Sequence, residues 1–369
     1  MNDKLRVGIT HGDTNGIGYE TILRLLADER IADIATIIIY GSAKAAAFYR
    51  KALELAPVQL NRIDSAPDAR DGAFNIINVV GEDLRIEPGT ASAEAGAAAL
   101  AALDAAVADL RAGAIDALVT CPIDKHTIQS ETFAFPGHTE YLEASLTDAD
   151  TPDTERHALM ILATDTLRVA LATAHLPIAK VPEALTQELI ADKLARFDRS
   201  LRRDFGVDHP RIAVLALNPH AGESGLLGDE EEKIIAPAIA AARADGIQAF
   251  GPYAADGFFG AGHHRHFDGV LAMYHDQGLA PFKTLAMDNG VNFTAGLPAV
   301  RTSPDHGTGY DIAGKGMASE ASLRSALYMA VDVVRCRARY DGARRRPLRR
   351  QNYDKGRNGD PTLDLSADS

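Results

Sequence analysis

Two apolar runs at residues 158–163 and 167–174 are joined by the polar triplet Thr164-Asp165-Thr166. Runs of that length with so short a break predict an antiparallel hairpin. Similar runs recur at 5–10, 36–40, 74–80, 117–120, 211–217, 269–274 and 291–294, and each predicts a strand. Between many of them the apolar positions take helical spacing. Residues 93–112 carry Leu100, Val107 and Leu110 for one face. Residues 182–205 open on Pro182 and stop before Gly206, which are boundary signals of a helix. The stretch 229–244 opens with four acids, suited to a helix N-terminus, and 317–339 reads as the last long helix. Strands alternating with helices predict the α/β class with a largely parallel sheet, made mixed by the hairpin.

At 369 residues the chain exceeds one ordinary domain and suits two lobes of about 150 to 200 residues. Its apolar fraction of 46% and charged fraction of 24% allow a real core. A net charge of −13 argues against nucleic acid as partner, because phosphate backbones select a basic surface. A small phosphorylated ligand needs only a few local cations and stays open. Cys121 and Cys336 cannot build a disulfide framework or a four-cysteine zinc site. No apolar run approaches the roughly 18 residues that span a bilayer, so no membrane role is expected. The start, MNDKLRVGIT, enters a strand-like run with no signal-peptide pattern, which points to a cytoplasmic enzyme or binding protein. Residues 341–369 turn polar, first Arg-rich and then acidic, and read as a partly disordered tail.

In α/β sheets ligands gather at the carboxyl ends of strands. His175, His220 and His275 each follow a predicted strand. Neutral imidazole is the commonest zinc ligand, and three histidines with open positions make a catalytic type of metal site. His263-His264-Arg265-His266 is a rival cluster, read as a solvated loop. The glycine-rich segment Gly12-Asp13-Thr14-Asn15-Gly16-Ile17-Gly18 lies between a strand and a helix. It is either an anion cradle of backbone N–H groups or a tight structural turn. Around Gly137-His138-Thr139-Glu140, an imidazole and a hydroxyl stand at a helix start, with Thr139 as the expected cap and Glu140 in the first turn. Four glycines between His306 and Gly316 make a loop into which a flat ligand could fit. Lys283, Asn292 and Arg301 supply the charge-assisted bonds that a phosphate or carboxylate wants.

The strings GDTNGIG, CPIDKH, FPGHTEYLE, TAHLPI, LNPHAGESGLLGDEE, GPYAADGFF, YHDQGLAPFK and VNFTAGLPAVRTSPDHGTGYDIAGKG follow one another over residues 4–335. In that order the chain resembles the 4-hydroxythreonine-4-phosphate dehydrogenases. HGTGYDIAGKG also resembles the nucleotide loop of isocitrate and isopropylmalate dehydrogenases. The resemblance implies an isopropylmalate/isocitrate-dehydrogenase-like α/β/α fold with two lobes, a mixed sheet and the active site in the cleft between lobes. The first lobe would be discontinuous, 1–135 plus 276–340, and the second 136–275. It implies His175, His220 and His275 as metal ligands, and His138, Thr139, Lys283, Asn292 and Arg301 as substrate contacts. NAD (or NADP) would lie against His306, Gly307, Gly309 and Asp311. Many relatives have GDPAGIGPE where this chain has GDTNGIGYE, so the proline positions are not kept.

The implied reaction is oxidation of 4-phosphooxy-L-threonine at its 3-hydroxyl in pyridoxal phosphate synthesis, followed by loss of CO2 to give 3-amino-2-oxopropyl phosphate. A metal can stabilise the alkoxide as a Lewis acid. Imidazole ligands favour Zn, with Co or Mg as alternatives. Asp256 and Lys125 are the candidate bases. The resemblance further implies a homodimer with shared active sites, His275 coming from the partner subunit. Three rival readings are a paralogous dehydrogenase of a sugar-acid phosphate or cyclic diol, a three-histidine metallohydrolase, and a non-enzymatic phosphate-binding protein.

Overall fold

In the strand Thr36–Gly41, Ile37 and Ile39 enter one core cluster while Ile38 and Tyr40 enter another. That period of two runs through the whole sheet, and it decides where polar residues can collect. The computed structural model describes residues 4–81, 83–130, 133–135, 137–152 and 155–345, with the backbone of 354–355 and 361–362. The chain begins β1 (Arg6–Thr10), α1 (Gly18–Leu26), α2 (Ile31–Ile34), β2 (Thr36–Gly41), α3 (Ala43–Ala52), β3 (Leu60–Ile63) and β4 (Phe74–Asn78). It continues through α4 (Ala93–Arg111), β5 (Ala117–Thr120), α5 (His138–Leu146), β6 (Leu159–Ala163), β7 (Arg168–Leu171), α6 (Val181–Ala184) and α7 (Gln187–Arg203). Then come β8 (Arg211–Leu215), α8 (Ala236–Ala244), β9 (Gln248–Tyr253), α9 (Ala255–Gly260), β10 (Gly269–Ala272) and α10 (His275–Ala286). The last large elements are β11 (Val291–Ala295), β12 (Val300–Pro304) and α11 (Ala321–Arg345).

One sheet of 12 strands results, in the order β3-β4-β2-β1-β5-β12-β11-β6-β7-β10-β8-β9. The first six are mutually parallel, and so are the last four. Between them β11 pairs antiparallel with both β12 and β6, and β6 antiparallel with β7. Three reversals make the two parallel blocks run in opposite directions. The mixed α/β class is therefore as expected, and the hairpin at Thr164–Thr166 is present, with Thr164 N–H donating to Leu167 O.

One face of the sheet is covered along its length by α1, α7, α8 and α11, around a single apolar cluster. The other face has two clusters. Leu103, Val107 and Leu110 of α4 pack on Ile38 and Leu118 of the first block. Leu279 and Phe282 of α10, with Phe258 of α9, pack on Val169, Leu215 and Val270 of the second. Between them the central strands carry a polar stripe. Val291, Phe293, Ala295 and Val300 join the continuous cluster, so Asn292, Thr294 and Arg301 alternate to the opposite face.

Several expected elements differ. β3, β9 and β12 lie where no strand was predicted. The helix expected over 182–205 is two helices, because Thr186 caps α7 by accepting the N–H of Leu189. The helix expected over 229–244 begins with a π-helical turn, Glu231–Ile235. The last helix runs on to Arg345, so 341–345 are helical rather than tail. Within the remainder Asp354–Lys355 pairs antiparallel with Pro361–Thr362, and the disorder expected there lies outside the described residues.

Candidate active site

Arg301 is the centre of the polar stripe. It is 3% exposed, and its guanidinium bonds only hydroxyls: Nε and Nη2 donate to Thr120 Oγ1 (3.1 and 2.6 Å) and Nη1 to Thr294 Oγ1 (3.1 Å). The sheet creates this triangle, since β5, β12 and β11 are neighbours and all three side chains face the same way. Among the described residues no carboxylate forms an ion pair with it. Burial pulls its pKa down to about 9, and only the charge of Glu140 opposes that. A buried cation without a counter-ion is costly unless an anion arrives.

α5 lies beside it. His138 opens this helix, and burial, then the charges of Arg301 and Lys125, hold its imidazole well below the usual range. His138 is therefore neutral, and its Nε2 is buried without a hydrogen-bond partner. Asn292 Oδ1 is in the same condition. Each such atom costs about 1–3 kcal/mol that a ligand can return. Thr139 lies inside the first turn; the N-cap is Gly137, with no side-chain cap, so Thr139 does not cap α5. Glu140 Oε1 stands 3.8 Å from His175 Nδ1, and that contact lowers the Glu140 pKa. Glu140 thus links the arginine group to the first metal-type histidine.

Lys283, on α10, lies 3.4 Å from Asp305 Oδ1 at the end of β12. Burial raises the Asp305 carboxyl although Lys283 pulls it down. His306 follows. Its Nδ1 lies 3.0 Å from Gly307 O, its Nε2 is buried without a partner, and burial lowers its pKa. A Cβ on Gly307 would meet no atom within 4 Å, so the backbone there is open to a flat ligand. Asp311 is exposed farther along the same loop.

The three histidines follow β7, β8 and β10, which are adjacent parallel strands in the order β7-β10-β8. Their carboxyl ends share one edge, as the strand-end argument requires. His175 and His275 have ring centroids 5.9 Å apart and line one cavity of about 330 Å³ with Tyr274. His275 Nδ1 lies 2.7 Å from Asp276 Oδ1, which leaves Nε2 for a ligand. His220 lies across Tyr274, in a second cavity of about 510 Å³ that Asp256 also lines. Among the described residues no group of three histidine, cysteine or acidic side chains in one chain closes on a single metal position. The chemistry of the donor set suits a metal, although the three imidazoles do not converge in the chain as folded. The rival histidines form a short 3-10 turn, Glu- and Asp-free, with His264 buried beside Phe259.

Lys125 and Asp256 fall into different groups. Lys125 lies by Gly137 and acts on His138 and Glu140, whereas Asp256 belongs to the His220 cavity. The Gly12–Gly18 loop is a structural turn. The N–H groups of Asp13, Asn15, Gly16 and Ile17 are taken by Pro122 O, Asp13 Oδ1, Asp13 O and Thr308 O. Glu140, Thr120, Thr294 and Asp305 were not singled out as site residues in the sequence, since only the sheet order joins them to Arg301 and Lys283.

A family model described as pyridoxal phosphate biosynthetic protein PdxA matches residues 33–330. A 4-hydroxythreonine-4-phosphate dehydrogenase of Bacteroides thetaiotaomicron is 53% identical over 353 residues, covering 96% of this chain and 95% of its own. The enzyme of that name from Prosthecochloris aestuarii is 42% identical, covering 88% and 96%. Among solved structures, a 4-hydroxythreonine-4-phosphate dehydrogenase from Klebsiella pneumoniae aligns with a TM-score of 0.78 at 37% identity, over 90% of this chain and 99% of its own. A terephthalate 1,2-cis-dihydrodiol dehydrogenase from Burkholderia xenovorans aligns at 0.58 with 28% identity, over 89% and 98%.

Proposed function

The chain belongs to the PdxA family of pyridoxal phosphate biosynthetic proteins, a family of 4-hydroxythreonine-4-phosphate dehydrogenases, and from that we propose how its own residues carry out the reaction. The enzyme oxidises the 3-hydroxyl of 4-phosphooxy-L-threonine with NAD (NADP being the alternative), and the 3-keto acid loses CO2 to give 3-amino-2-oxopropyl phosphate. The observation that carries this reading is Arg301, a buried guanidinium bonded only to hydroxyls, beside unpartnered atoms of His138 and Asn292.

Arg301, Lys283, His138, Thr139 and Asn292 bind the phosphate and carboxylate ends. Two fixed anions orient the 3-hydroxyl between them, and a fixed reacting geometry supplies much of the rate. Neutral His138 can accept or donate a hydrogen bond there without adding repulsion to Arg301. His175, His220 and His275 hold a divalent metal, zinc before cobalt or magnesium. When bound, the metal would supply Lewis acidity and NAD a hydride acceptor. The hydroxyl proton passes to Lys125 as its free amine, beside His138, or to the Asp256 carboxylate, beside His220. His306, Gly307, Gly309 and Asp311 face the nucleotide, an assignment supported by the unpartnered His306 Nε2 and the open backbone at Gly307.

A homodimer with shared active sites and a cytoplasmic location complete the proposal. Ile178 (73% exposed) beside His175 and Leu226 (77%) beyond His220 are large apolar side chains near the histidines. Such a surface suits burial against a second copy. His275 opens α10 and is the ligand assigned to the partner's site. The lobes 1–135 with 276–340 and 136–275 are assigned to the two parallel blocks, although α5 packs in the first block's cluster and α10 in the second's. Among the described residues no helix is long and apolar enough to cross a membrane.

A second reading, oxidation of a cyclic diol, draws on the likeness to the dihydrodiol dehydrogenase. The higher identity to 4-hydroxythreonine-4-phosphate dehydrogenases, 53% against 28% for the dihydrodiol enzyme, favours the first reading. Absorbance of reduced nicotinamide should rise with 4-phosphooxy-L-threonine and stay flat with 4-hydroxy-L-threonine or a cis-dihydrodiol. Turnover of the diol in preference to the phosphate ester would replace the first reading by the second.

A further inference from the structure

The loop carrying His220 turns in the left-handed sense. His220, Ala221, Gly222, Glu223, Ser224 and Gly225 have φ of 52°, 53°, 78°, 44°, 57° and 87°, six positive values in succession. In that conformation an L-residue brings its Cβ against the next carbonyl, so only single residues normally adopt it. A run of six must be held by its surroundings.

Glu231 stands at the root of the turn and is 3% exposed. Its Oε1 accepts the N–H groups of Leu217 (2.8 Å) and Asn218 (2.7 Å), and its Oε2 accepts from Asn218 Nδ2 (3.0 Å). The far side of the turn presses on the same carboxylate. A Cβ on Gly222 would lie 2.7 Å from Glu231 Oε2, and one on Gly228 would lie 2.4 Å from Asn218 Nδ2. Glu231 also opens the π-helical turn Glu231–Ile235. The extra residue of a π turn shifts side chains off the ordinary helical face, a device common near functional sites. Here one acid of the run 229–232 is turned inward, and it ties the end of β8 to the base of the loop.

We propose that Glu231 is a positioning residue that fixes His220 in its ligand pose, a role that rests on the reading of His220 as a metal ligand. Glu231 bonds the backbone on the entry side of the left-handed turn and abuts Gly222 on its exit side. Removing its second acceptor lets the turn relax and moves the imidazole, while β8, the arginine group and the substrate anion site stay in place.

Co(II) alone is the probe, titrated into chelator-stripped protein and followed by its visible absorption. Glu231→Gln keeps the shape but sets an amide nitrogen against Asn218 Nδ2, donor facing donor. Its Co(II) affinity should fall on the order of 10- to 100-fold, as for lost outer-shell partners elsewhere. Its spectrum should move toward that of His220→Ala. A merely structural glutamate would lower the melting temperature and leave the spectrum alone. Should Glu231→Gln not fold, Asn218→Ala removes the amide that Glu231 Oε2 accepts, outside the left-handed run, and should show a loss in the same direction. Wild-type affinity (within about two-fold) and spectrum in the folded variant overturn the proposal. Wild-type Co(II) binding by His220→Ala would instead overturn the ligand reading beneath it.

Discussion

The proposed substrate site rests on Arg301, a buried cation with no ion pair among the described residues. Thr120 and Thr294 fix its plane, and a hydroxyl partner leaves its full charge for the ligand. Arg301→Ala and Lys283→Ala should therefore weaken the phosphorylated substrate by on the order of 2–4 kcal/mol, with NAD affinity unchanged. Titrations of each ligand separately would show it, and equal losses for both would mean a folding defect. A second residue makes a prediction about pH. His11 is fully buried, neither ring nitrogen has a completed bond although Ala98 and Gly12 lie toward it, and burial lowers its pKa from 6.5 to about 4. Below pH 6.5 the unfolded chain takes up a proton that the folded chain refuses until about pH 4. Stability should thus decline as pH falls through that window, by about 3 kcal/mol in all, and His11→Gln should remove that share of the decline. Urea midpoints at several pH values measure it; an unchanged slope in the variant would contradict it. His138 was legible in the sequence as an imidazole at a helix start, and Arg301 as a cation suited to a phosphate or carboxylate. Their partners were not, because Thr120 lies 181 positions from Arg301 and only sheet order joins them.

Loops show the same division between what neighbours in sequence determine and what distant segments do. The Gly12–Gly18 segment reads equally as an anion cradle or a turn, and distant contacts decide for the turn. Asn15, in place of the alanine common in relatives, donates from Nδ2 to Thr90 O (2.8 Å) and accepts Glu87 N–H at Oδ1 (2.8 Å). Its backbone carbonyl accepts from Gly89, and Asp13 accepts from Tyr310 of the proposed nucleotide loop. Asn15→Ala should cost about 1–3 kcal/mol of stability by leaving Glu87 N–H and Thr90 O unpaired. Chemical denaturation of the two proteins would test that, and a loss below a few tenths would show water replacing the side chain. Strands with an apolar run were readable; β12 was not. Its sequence, VRTSP, has three polar residues because one face lines the site and Thr302 is buried on the other. β3, LNRI, borders the sheet edge and needs little apolar surface. The break before α7 was carried by Thr186, an N-cap signal hidden inside a continuous helical pattern.

Over the whole molecule, three reversals in the sheet set two parallel blocks head to tail and leave a polar seam between two apolar clusters. The three histidines then lie along one edge, His275 between the others. His175 and His275 approach each other within one chain, whereas the proposal sends His275 to the partner's site, and mixed dimers decide between the two. His175→Ala and His275→Ala should each be inactive, since every site lacks a ligand. Co-refolded, they should recover roughly a quarter of wild-type activity if pairing is random, because one site of each mixed dimer is whole. Recovery only in mixtures containing His220→Ala would make His220 the crossing ligand. No recovery in any mixture, with mixed dimers shown to form, would place all three in one chain.

The central claim is that this chain oxidises its phosphorylated substrate with a metal held by three histidines. The direct measurement is reduced-nicotinamide formation from 4-phosphooxy-L-threonine by protein stripped with a chelator, then reloaded with a known amount of zinc. The account predicts no turnover after stripping and a return in proportion to zinc bound, with His175→Ala, His220→Ala and His275→Ala not restored. Full turnover by the thoroughly stripped protein would contradict it.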